Sequence, residues 1–203
     1  MFTGIVETIG VVNSIDGNTI SIEAEKFSHR LSIGGSVSVK GACLTITSFE
    51  NGQFTVDVVD ETRRKTNLGD LKINSNVNLE LPVPVTGSFD GHIVQGHLDN
   101  TVQVISILEE SDSQIITFKT DPLDAKYLVK KGFVALDGVS LTIVDCHAES
   151  FSIALIPHTS KFTTLGELIV GDSINLELDL FAKYAEKVFK QLKTLDISSS
   201  IYL

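Results

Sequence analysis

The chain has 203 residues, 42% of them hydrophobic and 21% charged, with a formal net charge of −10. That is the composition of one or two folded domains, neither a disordered nor a helical membrane chain. Its pI near 4.9 argues against nucleic acid and anionic membrane as main partners, since both draw on clustered Lys and Arg.

The chain begins at Met1-Phe2-Thr3-Gly4 directly in folded-looking sequence, with no basic n-region and no long apolar run; the expected address is the cytoplasm. From Gly4 it moves through short runs of Val, Ile, Thr and Ser bounded by Gly, Asn or Asp. These predict strands at about 4–12, 19–24, 36–40, 43–49, 53–59 and 76–81. Turns fall at Asp16-Gly17-Asn18, Gly34-Gly35 and Asn51-Gly52, the last a type I′ hairpin signal. Six short strands in this length suggest a closed antiparallel barrel, which leaves no unpaired edge.

Two prolines and two glycines between Leu81 and Gly91 interrupt the pattern and mark a domain boundary. Further strands are predicted at about 93–107, 113–119, 133–137, 140–145, 151–156 and 173–178. Asp121-Pro122 at one end and Lys130-Lys131-Gly132 at the other predict a short helix, with a shorter equivalent over Ser28 to Ile33. Phe181, Tyr184, Ala185, Val188, Phe189, Leu192 and Leu195 keep helical spacing, with Lys183, Lys187, Lys190 and Lys193 elsewhere on the wheel. This amphipathic helix needs a partner surface, either a barrel of its own chain or another subunit; Ile197 to Leu203 reads as a frayed tail.

Most of the chain is one unit written twice. Gly41-Ala42-Cys43-Leu44-Thr45-Ile46 returns as Gly138-Val139-Ser140-Leu141-Thr142-Ile143 at an offset of 97 residues (138 − 41 = 97). The same offset carries Thr62 onto Thr159 and Asn78-Leu79-Glu80-Leu81 onto Asn175-Leu176-Glu177-Leu178. An offset of 92 carries Gly4-Ile5-Val6-Glu7 onto Gly96-His97-Leu98-Asp99. A period this long exceeds a solenoid repeat. The fold expected is all-β, two tandem six-stranded barrels plus a C-terminal helix: domains 1–86 and 87–179, and a helix and tail over 180–203.

Function is sought where equivalent positions carry small polar residues. Strand alternation puts Cys43 and Thr45 on one face with Leu44 on the other, and likewise Ser140 and Thr142 opposite Leu141. His92 and His97 lie in one expected strand at odd spacing, so they point apart and cannot share a metal; either suits acid–base work. Arg63-Arg64-Lys65 reads as a solvated basic turn, and His29 and His158 as exposed. Asp179 either orients a His or Ser or caps the last helix. Cys43 and Cys146 sit at unrelated repeat positions and are expected as free thiols, with no disulfide and no zinc site. No phosphate loop, zinc signature or nucleophile elbow is present.

Met1 to Glu7, Gly41 to Thr45, Glu61-Thr62, Thr66 to Gly69, Gly91 to His97, Lys131-Gly132, Asp137 to Thr142 and Ile156 to Thr159 together resemble the riboflavin synthase family, alpha-chain type, over nearly the whole chain. The resemblance implies two Greek-key barrels and a homotrimer held by the C-terminal helices, with the active site between neighbouring chains. The implied reaction is a dismutation of two 6,7-dimethyl-8-ribityllumazine molecules by four-carbon transfer, giving riboflavin and 5-amino-6-ribitylaminouracil without metal or cofactor. Lumazine synthase would be a further partner. One lumazine is expected against Ser36, Cys43, Leu44, Thr45, Asp57, Val58, Val59, Asp60, Glu61 and Thr62, with Gly96, His97 and Leu98 from a facing barrel. The other is expected against Ser140, Leu141, Thr142, Ile156, Pro157, His158, Thr159, Ser160 and Lys161, with Gly4, Ile5, Val6 and Lys131. His97, Ser140 and Cys43 are the expected catalytic residues, Thr142 and Asp179 the orienting ones. The chain departs from the family pattern at Lys40 (usually Asn), Leu81 (commonly Arg) and Asp90 (usually Gly). The rival reading is a lumazine- or flavin-carrying antenna protein; a flavoprotein reductase lacks its expected nucleotide-binding half.

Overall fold

The computed structural model describes residues 1–27 and 29–194. Two closed antiparallel barrels follow the repeat. The first is built from β1 (Thr8–Asp16), β2 (Thr19–Glu23), β3 (Ser36–Val39), β4 (Ala42–Glu50), β5 (Gln53–Asp57) and β6 (Asn76–Glu80), closing in the order β1-β2-β5-β4-β3-β6. The second uses β7 (Asn100–Glu110), β8 (Ser113–Lys119), β9 (Phe133–Leu136), β10 (Val139–Cys146), β11 (Ser150–Leu155) and β12 (Ser173–Leu178), and its circular order is the same. Bulges recur at equivalent places, Ile46/Ser48 in β4 and Ile143/Asp145 in β10. Each bends its strand around the barrel wall.

Alternation decides which side chains fill the barrels. Val37, Leu44, Ile46, Phe54, Val56, Val77 and Leu79 point inward in the first, and Val134, Leu141, Ile143, Phe151, Ile153, Ile174 and Leu176 take the same places in the second. Asn51 (φ 51°) and Gly52 (φ 78°) make the expected left-handed hairpin turn. The same geometry holds at Lys40-Gly41 and Asp137-Gly138; Asp-Gly carries the same turn signal as Asn-Gly, whereas Lys40 carries none.

Several boundaries move. The strands expected at 4–12 and 93–107 begin at Thr8 and Asn100, so 1–7 and 91–99 are extended arms, and His92 and His97 do not share a strand. The strands expected to run to 59 and 156 stop at Asp57 and Leu155, giving way to α1 (Asp60–Lys65) and α3 (Pro157–Phe162). Pro157 at the first helical position favours that switch. The helix expected from Asp121 to Gly132 is one turn, α2 (Pro122–Ala125); Asp121 caps it by accepting from the Leu123 amide at 2.8 Å. In the first copy a 3-10 turn occupies Glu25–Phe27, before the Ser28–Ile33 segment expected to be helical. Arg63 is not simply solvated: it is half-buried and donates to the Gly17 carbonyl and to Asn18 Oδ1. The last helix, α4 (Leu180–Thr194), leaves Phe181, Tyr184, Val188, Phe189 and Leu192 exposed. Leu195 and the tail lie outside the described residues.

Candidate active site

The two arms are exchanged between the barrels. Phe2 and Val94 form a two-way backbone bridge, at 2.7 and 3.1 Å. Beyond it each arm crosses to the other barrel's β-hairpin tip: the Ser140 amide donates to the Gly4 carbonyl at 2.7 Å, and the Cys43 amide to the Gly96 carbonyl at 2.9 Å. Val6 packs on the second core and Leu98 on the first. Two half-sites result within one chain, one around Cys43 and one around Ser140.

Both arms are pinned by a buried carboxylate at one repeat position. Glu80 accepts from the Thr3 amide (2.6 Å), the Thr3 hydroxyl (2.7 Å) and the Gly4 amide (3.0 Å). Glu177 accepts from the Gln95 amide (2.6 Å) and the Gly96 amide (2.9 Å). Burial pushes both carboxyls above the ordinary 4.5, against the hydrogen bonds that favour the charged form. Gly4 and Gly96 are left-handed, φ 77° and 80°. A Cβ at Gly96 would lie 2.5 Å from Cys43 Cβ, and one at Gly4 2.6 Å from Ser140 Cβ. Only glycine allows so close an approach.

The first half-site is an open cleft of ≈ 210 Å³ holding Cys43, Glu61, Thr62, Lys65, Gly96, His97 and Leu98. The structure therefore brings Cys43 and His97 together in one chain, where Gly96 to Leu98 were expected from a facing barrel. Glu61 and Lys65 pair at 3.0 Å on α1. Leu44 and Val58 are core residues, so only their backbones can reach a ligand here. Asp57 accepts from the Thr19 hydroxyl at 2.7 Å, and Asp60 from Asn18 at 3.2 Å. Ser36, paired with Thr45 across β3 and β4, lines a separate cleft with Arg30 and Pro82. Val59 and Thr45 are exposed.

At the second half-site Ser140 Oγ lies 2.7 Å from His92 Nδ1. His92 is buried and stacked on Phe133, ring centroids 5.1 Å apart. Burial holds its imidazole below the ordinary 6.5, with the Asp179 charge acting the other way. A neutral His92 with an unprotonated Nδ1 accepts the Ser140 proton. Thr142 shares the outward face with Ser140, Leu141 is core, and Lys131 is exposed at φ 67°. Ile156, Pro157 and Lys161 are exposed around α3, Thr159 and Ser160 half-buried, and the His158 ring lies tilted against Phe162, centroids 4.7 Å apart. Asp179 accepts from the Phe181 amide at 2.9 Å and so caps α4. Ile5 and Val6 flank the arm that reaches Ser140.

His92 is the residue sequence reasoning passed over in favour of His97. Its partner is 48 positions away, and no spacing rule connects them. The Gly91-His92 pair is the only local signal: a Cβ at Gly91 would lie 2.8 Å from Ser140 Cβ, so that glycine lets the His92 segment approach.

The chain matches the lumazine binding domain family twice, over residues 3–82 and 95–179. It is 43% identical to riboflavin synthase of Actinobacillus pleuropneumoniae, covering 92% of this chain and 89% of that one. Identity is 41% to the Bacillus subtilis riboflavin synthase (91% and 87% covered) and 40% to that of Schizosaccharomyces pombe (93% of each). Among solved structures, LumP complexed with riboflavin superposes with a TM-score of 0.81 at 25% identity, covering 88% of this chain and all of that one.

Proposed function

This chain belongs to the riboflavin synthase family, and we propose that it catalyses the dismutation of two 6,7-dimethyl-8-ribityllumazine molecules to riboflavin and 5-amino-6-ribitylaminouracil. The observation that carries this is the pair of equivalent half-sites, Cys43 with Gly96 and His97, and Ser140 with Gly4 and His92. Two alike sites suit a reaction that consumes two identical molecules. Holding both in near-attack geometry supplies much of the barrier reduction of a bimolecular step.

In this reading a proton leaves the acidic 7-methyl group of one lumazine for Ser140 Oγ while the Ser140 proton moves to His92 Nδ1. His92 becomes an imidazolium, which the Asp179 charge favours. Cys43 and His97 flank the second molecule, Cys43 as the nucleophile that activates its ring and His97 as its acid–base partner. Thr142 and Asp179 orient, and the remaining residues of the two half-sites bind the ribityl chains and ring edges.

The chain acts as a cytoplasmic homotrimer, divided into barrels 1–86 and 87–179 and a trimer helix from 180. Two observations support the assembly. The apolar stripe of α4 is exposed, and the Cys43 cleft of ≈ 210 Å³ is smaller than the roughly 300–1,000 Å³ that encloses a drug-sized ligand. A neighbouring chain's opposite half-site would supply the missing wall and the second substrate.

The test is to incubate purified protein with 6,7-dimethyl-8-ribityllumazine alone and follow absorbance. Two lumazines lost per riboflavin formed, with nothing added, is the expected result. Tight binding without turnover would instead support a carrier, the reading favoured by the likeness to LumP.

A further inference from the structure

The barrels meet through a polar network that repeats itself about a local two-fold relation. Asn78 Nδ2 donates to the Asp137 carbonyl at 3.0 Å, and Asn175 Nδ2 to the Lys40 carbonyl at 2.8 Å. Asn78 Oδ1 accepts from the Thr164 amide at 2.8 Å, and Asn175 Oδ1 from the Asn67 amide at 2.7 Å. Under the 97-residue offset each bond of a pair is the other's mirror. All four would therefore form equally well if the first barrel met a second copy of itself, or the second barrel a second copy of itself.

Others would not: Asn67 Nδ2 donates to Asp137 Oδ1 at 3.0 Å and to the Ser173 carbonyl at 2.9 Å, and one further contact would turn from attractive to repulsive. Lys40 and Asp137 also occupy a single repeat position, yet they carry opposite charges, with Lys40 Nζ 2.6 Å from Asp137 Oδ2. Their side chains are 12% and 1% exposed, so water screens the pair poorly. The tips that carry them touch backbone to backbone: a Cβ at Gly41 would lie 2.8 Å from the Gly138 amide nitrogen, and the reverse holds at 2.8 Å. The charges have no room to draw apart. A pairing of like barrels would press two ammonium groups, or two carboxylates, into that buried place.

We propose that Lys40–Asp137 is a pairing key: it makes the inner face of each barrel complementary to the other barrel and repellent to a second copy of itself. Two domains of one topology joined by a long exposed connection are otherwise free to exchange partners between chains. The key directs them to pair within one, whatever reaction the half-sites perform.

Charge reversal keeps the turn, because Lys40 (φ 47°) and Asp137 (φ 46°) already hold the same left-handed conformation; Asp137→Lys also removes the acceptor of the Asn175 amide and of Asn67 Nδ2, a loss common to every pairing of the substituted half. Full-length Lys40→Asp and Asp137→Lys variants, each with a protease site at exposed Val85, are folded, cleaved in that connection and then mixed. Halves bearing opposite charges are expected to recombine over like-charged halves by at least about tenfold, because juxtaposed like charges cost several kcal/mol. The thermal transition of the mixture should rise to that of cleaved wild type. Phe2 and Val94 are present in every pairing of an amino-terminal with a carboxy-terminal half and cannot bias the choice among those. Statistical recombination, with a transition no higher than that of either cleaved variant, would overturn the proposal. Should the single variants fail to fold, the intact K40D/D137K double variant decides: recovery of the wild-type transition supports the key, and behaviour no better than the singles refutes it.

Discussion

Replacing Gly96 by alanine separates backbone strain from close approach. At φ 80° any L-residue pays the left-handed cost, about 1–2 kcal/mol. The new Cβ would also sit 2.5 Å from Cys43 Cβ, about 1 Å inside ordinary contact, and relieving such crowding costs typically about 1–3 kcal/mol more. Gly17 is the control: it too is left-handed, φ 56°, with nothing within 4 Å of an added methyl. At about 3 °C per kcal/mol for a chain of this size, Gly17→Ala should lower Tm by roughly 3–6 °C and Gly96→Ala by about 3–9 °C beyond that. The displaced arm carries His97 away from Cys43, and a shift near 1 Å in a bimolecular site can lower turnover about 100-fold. Calorimetry and riboflavin formation are read on both variants. If Gly96→Ala melts with Gly17→Ala and keeps full activity, the account of the crossed arm as the floor of the first half-site is wrong.

Ser140→Ala, which removes the hydroxyl 2.7 Å from His92, should lower kcat by about 10²–10⁴ with little change in lumazine affinity; an unchanged kcat in steady-state kinetics would remove Ser140 from the chemistry. His92, buried and held below the ordinary 6.5, resists a proton that the unfolded chain accepts. Its stabilising contribution is thus complete above pH 6.5 and is lost as pH falls through 6.5 toward the folded value, so His92→Gln should flatten the stability–pH curve over that interval, as read by denaturant titration. If the proposed trimer forms through the exposed stripe of α4, Phe189→Glu should be monomeric in sedimentation and lose turnover while leaving each barrel folded; a wild-type protein that is not trimeric, or a variant that stays trimeric, would refute that interface.

The duplicated all-β plan is legible in the order of residues alone. Alternation places Leu44 and Leu141 inside and Cys43, Thr45, Ser140 and Thr142 outside, because a period of two follows from strand geometry alone. The 97-residue offset likewise marks out the equivalent tips and the buried Glu80 and Glu177, and the amphipathic period marks α4. Other features depend on contacts made only in the folded chain. Strand ends at Asp57 and Leu155 yield to α1 and α3 against the local β preference of Val58-Val59 and Ile156, and each helix is closed by a threonine hydroxyl donating to a carbonyl four residues back, Thr66 to Thr62 and Thr163 to Thr159. The exchange of arms between barrels, which sets His97 beside Cys43 and His92 on Ser140, depends on contacts 48 or more residues apart in the chain. No local pattern encodes such pairings. They appear only when closed barrels present their hairpin tips to one another, and the glycines at 4, 91 and 96 then become legible as the places where two backbones must nearly touch.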